Sequence, residues 1–252
     1  MMGRTHKVGG AVGGLAILNT LNLCNVVVNP VFVGIPFIAG NYIGALIPDF
    51  DQRKSTISRY LWPFVWPIWL LQSILNLIFK NSKTPISKAI KSSVNHRGFA
   101  HWPILYLGAM VVIFIVSLFI EDSAYQLTFE NLKNSLDGVL SSGWVFPSIA
   151  TSVIFSFLYG LCLGSLNHIF LDWLNPNGVP ILAPIKFKRY NCPFIKITTG
   201  SNSKSEHLFR WILKALLVIL LVIFIFFSFE FFVGLFGPKE VELYQNVTTL
   251  MP

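Results

Sequence analysis

Long apolar runs constrain this chain more than any other feature of its sequence. Five of them approach the roughly 20 residues that a bilayer-spanning helix needs, and hydrophobic residues make up 54% of the chain against 12% charged residues. These values exclude an ordinary soluble domain. We predict an all-α polytopic membrane protein, a single integral-membrane domain over residues 1–252, with about five spanning helices at residues 8–28, 31–47, 103–120, 145–166 and 211–236.

A sixth apolar stretch, residues 61–79, is long enough to span but contains Pro63 and Pro67. On a helical wheel its tryptophans share one face with two polar residues, the set being Trp62, Trp66, Trp69, Ser73 and Asn76. Tryptophans beside polar groups are typical of a helix at the membrane interface. We therefore predict an interfacial or re-entrant helix here.

Positive charge is concentrated in short loops beside the apolar runs, and the chain carries a net charge of +8. A nucleic-acid-binding protein would gather such residues on one patch or helix, so no nucleic-acid partner is expected. The positive-inside rule explains the pattern better. It places the N-terminus and residues 49–60, 80–101 and 186–210 in the cytoplasm, and the acidic loop 121–143 and the C-terminal tail outside.

His168 and Asp172 follow an apolar run and stand four residues apart. If the helix continues through Leu174, both side chains lie on one face, where they could share one cation. The segment Asn175-Pro176-Asn177-Gly178 would then end the helix. Taken alone, the pair is explained equally well by a capping aspartate beside a solvent-facing histidine.

Two other short motifs place polar residues at the ends of apolar runs. Pro48-Asp49-Phe50-Asp51 brings two carboxylates close together, although an ordinary Asx turn accounts for it about as well. His96-Arg97-Gly98-Phe99-Ala100-His101 places two histidines just before a predicted span, and Arg97 suits bidentate pairing with a phosphate.

All histidines and several carboxylates fall at helix ends on the predicted cytoplasmic side; of the histidines, we expect only His207 to face solvent. Such a shared face would bring eight candidate metal ligands together: His6, Asp49, Asp51, His96, His101, His168, Asp172 and Glu206. A mixed imidazole and carboxylate set without thiolate favours zinc, with manganese or iron as alternatives. Eight candidates allow one to three divalent ions.

Several motifs follow one another along the chain: Thr5-His6-x-x-x-Gly10, Leu46-Ile47-Pro48-Asp49-Phe50-Asp51, His96-Arg97-Gly98-x-x-His101, His168-x-x-x-Asp172-x-x-Asn175-Pro176-x-Gly178, and Thr199-Gly200-Ser201 leading to Glu206. Together they resemble the YdjM-type family of bacterial inner-membrane metal-dependent hydrolases. The resemblance implies a membrane-bound hydrolase whose ligand pattern is similar to that of zinc-dependent phospholipase C and the single-strand nucleases of that fold. Trp102 departs from the family pattern, which usually has a small hydroxyl residue there.

These observations lead to the hypothesis of metal-assisted hydrolysis of a phosphoester. Asp49 or Asp51 would act as general base, and Arg97 would neutralise developing charge. A site at the cytoplasmic face of the inner membrane favours a lipid or lipid-linked phosphate as substrate, with membrane lipids as partners.

A metal or proton transporter and a non-catalytic membrane assembly factor are the alternatives. Transport sites usually lie near the bilayer midplane on broken helices, whereas these ionisable residues lie at helix ends. The sequence leaves the oligomeric state and the individual substrate open.

Overall fold

The computed structural model describes residues 3–24, 29–52, 55–82, 84, 87, 90, 97–119, 145–200 and 203–236. Within these residues the chain is all-helical, as predicted, and contains no strand apart from the isolated antiparallel bridge between Val179 and Tyr190. His96, the acidic loop and the C-terminal tail lie outside the described residues.

Seven α-helices in the described residues are numbered here in chain order: α1 Gly3–Leu23, α2 Ile35–Gly44, α3 Thr56–Tyr60, α4 Trp62–Ile78, α5 Pro103–Phe119, α6 Val145–Trp173 and α7 Lys204–Phe236. A π-helical turn, Pro30–Gly34, leads directly into α2. The 3₁₀ turn Ile47–Asp51 follows α2. Another 3₁₀ turn, Phe99–His101, precedes α5.

Three helical segments are long and apolar enough to cross a membrane: Pro30–Asp51, Ala150–Trp173 and Lys204–Phe229. They overlap the predicted spans 31–47, 145–166 and 211–236. Trp62–Ile78 and Pro103–Ser117 are shorter apolar helices, and α1 is not among the three candidates found in the described part of the chain. Five as the number of spans therefore stays a prediction.

Helix α4 occupies the stretch predicted to be interfacial. Among its described side chains only Val65 is buried, while Phe64 and Leu77 are strongly exposed. The indole Nε1–H of Trp69 donates to the Phe50 carbonyl at 3.3 Å, which attaches this helix to the turn after α2. Its position in the membrane interface stays a prediction.

Two helices begin earlier than their apolar runs. Helix α1 starts at Gly3 and α7 at Lys204, so His6 and Glu206 lie inside the helices rather than before them. The prediction of these helix starts was wrong. Hydrophobicity marks only the part of a helix that suits lipid, and polar residues such as Arg4 and Lys7 continue the same helix at little cost in free energy.

Glycines let the central helices approach closely. Helices α2 and α6 cross at two pairs of glycines spaced four apart, Gly40, Gly44, Gly160 and Gly164. A Cβ atom added to Gly164 would lie 2.2 Å from the Asn41 carbonyl oxygen, and one added to Gly10 of α1 would lie 2.5 Å from the same oxygen. Small residues at this spacing are a common packing device of membrane helices. Three helices therefore meet around Asn41.

The contacts also set the helix directions. Thr5 bonds to Glu206 and Asn19 bonds to the Leu220 carbonyl, so α1 and α7 run parallel. Ser165 bonds to the Gly44 carbonyl; together with the Gly164 and Asn41 approach, this shows that α2 and α6 run parallel too. Because Gly10 lies near Ala45 and Gly14 near Asn41, α1 opposes α2. The starts of α1 and α7 and the ends of α2 and α6 consequently meet at one end of the bundle, called the site end below.

A loop of residues 174–200, called the capping loop, folds back over the end of α6. The backbone N–H groups of Cys192 and Ile197 donate to the Trp173 and Leu174 carbonyls, both at 2.9 Å. These carbonyls are among the last of α6, which the helix itself leaves unpaired. Leu171, Leu174, Cys192 and Ile197 form a small apolar cluster beneath the loop. The loop is thus attached to the same helix end that carries His168 and Asp172.

Candidate metal centre

Helix α6 carries His168 and Asp172 on its final turns, with His168 Nε2 3.9 Å from Asp172 Oδ2. The helix ends at Trp173, and the Asn175 side chain then accepts the backbone N–H of Asn177 at 3.1 Å. Gly178 follows with a φ of +61°, a left-handed conformation that glycine adopts without strain. The Asn-Pro-Asn-Gly sequence therefore ends the helix just after the pair.

His168 is oriented by the end of α2. Its Nδ1 lies 2.7 Å from the Ala45 carbonyl oxygen, and because a carbonyl only accepts, Nδ1 carries the hydrogen. One turn earlier, the Ser165 hydroxyl donates to the Gly44 carbonyl at 3.0 Å. These carbonyls would otherwise be unpaired at a helix terminus. The arrangement leaves the lone pair of His168 on Nε2, as metal-binding histidines require.

Two further histidines surround this nitrogen. His6 of α1 stacks on His168 with ring centroids 3.7 Å apart, and its Nε2 lies 3.4 Å from Asp172 Oδ1. His101 approaches His168 edge-on at 5.2 Å, and its Nε2 lies 3.7 Å from Asp172 Oδ2. All three imidazoles are fully buried. Three histidines from separate elements thus face one carboxylate.

Asp49 approaches from the turn after α2, where its Oδ1 lies 3.7 Å from His168 Nε2. The Ser58 hydroxyl donates to the Phe50 carbonyl at 2.9 Å and holds this turn in place. The Asp49 side chain is 13% exposed, against 2% for Asp172. Of the two carboxylates, Asp49 is therefore the more accessible to solvent.

Among the described residues, two sets of three side chains have the geometry to hold a metal ion: His6, His168 and Asp172, and Asp49, His101 and His168. Within each set the ligand atoms lie within 4.8 Å of one another. His168 belongs to both sets but offers a single lone pair, so it can ligate only one ion. The five residues are therefore best described as one connected ligand cluster.

The cluster suits a divalent cation. His168 Nε2 is buried and has no hydrogen-bond partner among the described residues, and a buried polar atom left unpaired costs about 1–3 kcal/mol. Burial, reinforced by the charge of nearby His168, lowers the pKa of His6 to about 4, so His6 is neutral at pH 7 and able to ligate. A bound cation would satisfy these nitrogens.

Arg97 holds the carboxylate of Asp172 in place. One terminal nitrogen lies 2.9 Å from Asp172 Oδ2, and the other donates to the Gly178 carbonyl at 2.9 Å. Its backbone φ of +63° lies in the left-handed region, which costs a non-glycine residue roughly 1–2 kcal/mol. The contacts of its guanidinium offset this strain.

The structure describes two of the remaining ligand candidates, Glu206 and Asp51. Glu206 is fully buried and accepts hydrogen bonds from the Thr5 hydroxyl at 2.9 Å and the Gly200 N–H at 3.1 Å. Asp51 is also buried, and neither residue belongs to a ligand set among the described residues. His96 lies outside the described residues, and His207 is exposed.

A polar pocket of about 320 Å³ opens beside the cluster. Asp49, Asp172 and Arg97 line its inner part, and exposed side chains line its mouth: Gln52, Asn177, Arg189 and Thr199. Three of these four residues belong to the capping loop. The cluster is therefore reachable from solvent through a charged opening.

The sequence reasoning did not identify the residues that support the cluster. Ser165, the Ala45 carbonyl and the pocket residue Arg189 were not considered as parts of the site. The glycine pairs were a usable signal, because two Gly-x-x-x-Gly patterns in apolar runs predict which helices touch. The role of Ala45 had no such signal, since it acts through its backbone.

Sequence comparisons with known proteins identify the family of the chain. The family described as YdjM inner membrane protein matches residues 1–232. The inner membrane protein YdjM of Escherichia coli (strain K12) is 30% identical over 173 residues, which cover 69% of this chain and 59% of that protein, and the YdjM protein of Shigella flexneri matches equally well. The match thus spans about three fifths of the length of these relatives, and no solved structure matches the chain. From its sequence, the chain belongs to the YdjM family of inner membrane proteins.

Proposed function

We propose that the protein is a membrane-bound, metal-dependent hydrolase that acts on a phosphoester at the site end of the bundle. The observation that carries the proposal is the convergence of three buried histidines and two buried aspartates beside an open polar pocket. Imidazole and carboxylate ligands without thiolate are typical of catalytic zinc sites and also suit manganese or iron.

We assign ligation to the more enclosed residues of the cluster: His6, His101, His168 and Asp172. When bound there, a divalent ion supplies Lewis-acid polarisation of a phosphoryl oxygen and acidifies a water. Arg97 keeps Asp172 directed toward the histidines through its contact at 2.9 Å. The Ala45 carbonyl keeps the hydrogen of His168 on Nδ1.

Asp49 is assigned as the general base. It lines the pocket and is more exposed than Asp172, so a water molecule in the pocket can reach its carboxylate. Asp51 does not line this pocket within the described residues. Asp49 would take the proton of the attacking water as the phosphoester bond breaks.

The metal is tested by elemental analysis of the purified protein in detergent. Wild type should retain close to one transition-metal ion per chain, and the His168→Ala, Asp172→Ala double variant should lose it. His207→Ala is the matched control, because this histidine is exposed and lies outside both ligand sets. Full metal content in the double variant would overturn the site.

The reaction is tested with a panel of phosphomonoesters, phosphodiesters and phospholipids. Metal-loaded wild type and His207→Ala should hydrolyse at least one class, and Asp49→Asn should lose that activity while keeping its metal. Metal uptake by reconstituted vesicles without any hydrolysis would instead favour a transporter.

We further propose that the site end faces the cytoplasm, on the strength of the basic loops that flank it. Reporter insertions after Asn131 and after Lys188 should lie on opposite sides of the membrane, with the latter inside. The same side for both would contradict this orientation.

A further inference from the structure

The pocket is lined by one buried arginine, Arg97, and one exposed arginine, Arg189. Arg97 is buried and directs its two terminal nitrogens to Asp172 and to the Gly178 carbonyl. Arg189 is exposed and lines the mouth of the same pocket. A ligand entering the pocket from solvent would therefore meet the guanidinium of Arg189 before it reached the metal cluster.

Formal charges indicate what kind of ligand the pocket takes. Its lining carries two carboxylates and two guanidinium groups, which balance each other in the absence of a metal. A bound divalent ion leaves a net charge of about +2, because the ion is the largest local charge in such a site. The loaded pocket would attract a ligand with one or two negative charges.

The neutral residues at the mouth suit the same ligand. The Thr199 hydroxyl and the Asn177 and Gln52 amides are exposed side chains that can donate to anionic oxygens. Arginine forms two parallel hydrogen bonds with a phosphate, an arrangement that a lysine cannot reproduce. The mouth therefore combines one guanidinium group with several neutral hydrogen-bond donors.

We propose that Arg189, together with Thr199 and Asn177 of the capping loop, binds the phosphate group of the substrate and sets the specificity of the site for phosphate esters. This inference rests on the proposed metal centre. Arg189 is then a binding residue that touches the substrate, whereas Arg97 is a positioning residue for Asp172.

The phosphate of a soluble ester and the phosphate of a lipid headgroup present the same chemistry to this pocket. The capping loop bears on this choice because it exposes Ile185 and Phe194, 84% and 92% accessible, next to the basic residues Lys186 and Lys196. Apolar side chains interleaved with lysines are typical of a surface at the lipid headgroups. Both sources therefore belong in the test.

The test measures binding of inorganic phosphate to the metal-loaded, full-length protein by calorimetry. Arg189→Gln should weaken phosphate binding about ten- to a hundredfold with unchanged metal content, and Arg189→Lys should recover only part of the loss. Lys186→Gln removes the same charge from an exposed site on the same loop outside the pocket lining, so its affinity should equal that of wild type.

Two further arms use glycerol phosphate in solution and phosphatidic acid in nanodiscs. Loss of affinity in Arg189→Gln for the first, the second or both identifies the source of the phosphate. Equal phosphate affinity of metal-loaded wild type and Arg189→Gln would overturn the inference while leaving the metal centre intact. A wild-type protein that binds no metal would instead overturn the proposed function, and this inference with it.

Discussion

The imidazole rings of His6 and His168 lie face to face, with centroids 3.7 Å apart and an angle of 17° between their planes. The two residues are 162 positions apart along the chain, and only the packing of α1 against α6 brings them together. Two protonated imidazoles at this separation would repel each other strongly. The stacked pair therefore favours neutral rings, which is the form that binds a metal.

We expect the metal-free protein to lose stability as the pH falls from 7.5 to 5. The pKa of His6 is about 4 in the folded chain, against 6.5 without such burial. Between these values the unfolded chain binds a proton that the folded chain does not, so stability is full above about pH 6.5 and declines toward pH 4. Melting temperatures of the chelator-treated protein in detergent measure this decline.

His6→Gln should reduce the fall in melting temperature, because it removes a side chain whose pKa is lowered by burial. A wild-type melting temperature that rises on acidification would contradict the assigned burial of a neutral His6.

Gly164→Ala should destabilise the helix bundle by about 1–3 kcal/mol, the usual cost of overpacking. The new methyl group would lie 2.2 Å from the backbone carbonyl oxygen of Asn41, which a side-chain rotation cannot relieve. Gly108→Ala is the matched control, since a Cβ there meets nothing within 4 Å. Thermal melting in detergent should separate the two variants, and equal stability would refute close α2 and α6 packing.

Arg97→Lys should weaken metal binding about 10- to 100-fold, the usual effect of removing a group that orients a ligand. A lysine is a point charge and cannot bridge Asp172 and the Gly178 carbonyl as the guanidinium fork does. Competition with a chromophoric chelator measures the affinity. Arg59→Lys is the control: it changes an exposed arginine of α3 and should leave the metal affinity unchanged. Wild-type affinity in Arg97→Lys would show that Asp172 needs no such support.

Glu206→Gln should keep its metal, whereas Asp172→Asn should lose most of it. Glu206 accepts hydrogen bonds from Thr5 and from the Gly200 N–H and lies outside both ligand sets in the described residues. An amide oxygen can still accept one of these bonds, and the Thr5 hydroxyl can reverse to accept from the new amide. Metal analysis of both variants provides the test, and metal loss in Glu206→Gln would restore Glu206 as a ligand.

Much of the fold and part of the site could be predicted locally. Asn29 accepts the N–H groups of Val31 and Phe32 in the gap between the predicted spans 8–28 and 31–47. The four-residue spacing of His168 and Asp172 places both on one helical face. Such features depend on neighbours a few residues away, and the sequence displays those neighbours directly.

Other features of the site could not be predicted from neighbouring residues in the sequence. Glu206 was expected among the ligands because it carries a carboxylate at the correct helix end, but the side chain turns to Thr5 and Gly200. Arg97 was expected to meet substrate, but it contacts Asp172 and Gly178. Which partner a side chain selects depends on how helices and turns pack against one another, and hydropathy does not encode that packing.

The sequence by itself determined that this chain is a helical membrane protein with its histidines and aspartates at helix ends, because lipid burial dictates where apolar runs and charges stand. Only the tertiary structure decided which of them meet. Glycine contacts around Asn41 set the distance between α1, α2 and α6, and the Ala45 carbonyl, by accepting from Nδ1, left Nε2 of His168 to carry the lone pair. The glycine pairs indicate which helices touch, whereas the Ala45 contact is a backbone effect of packing that no residue type indicates.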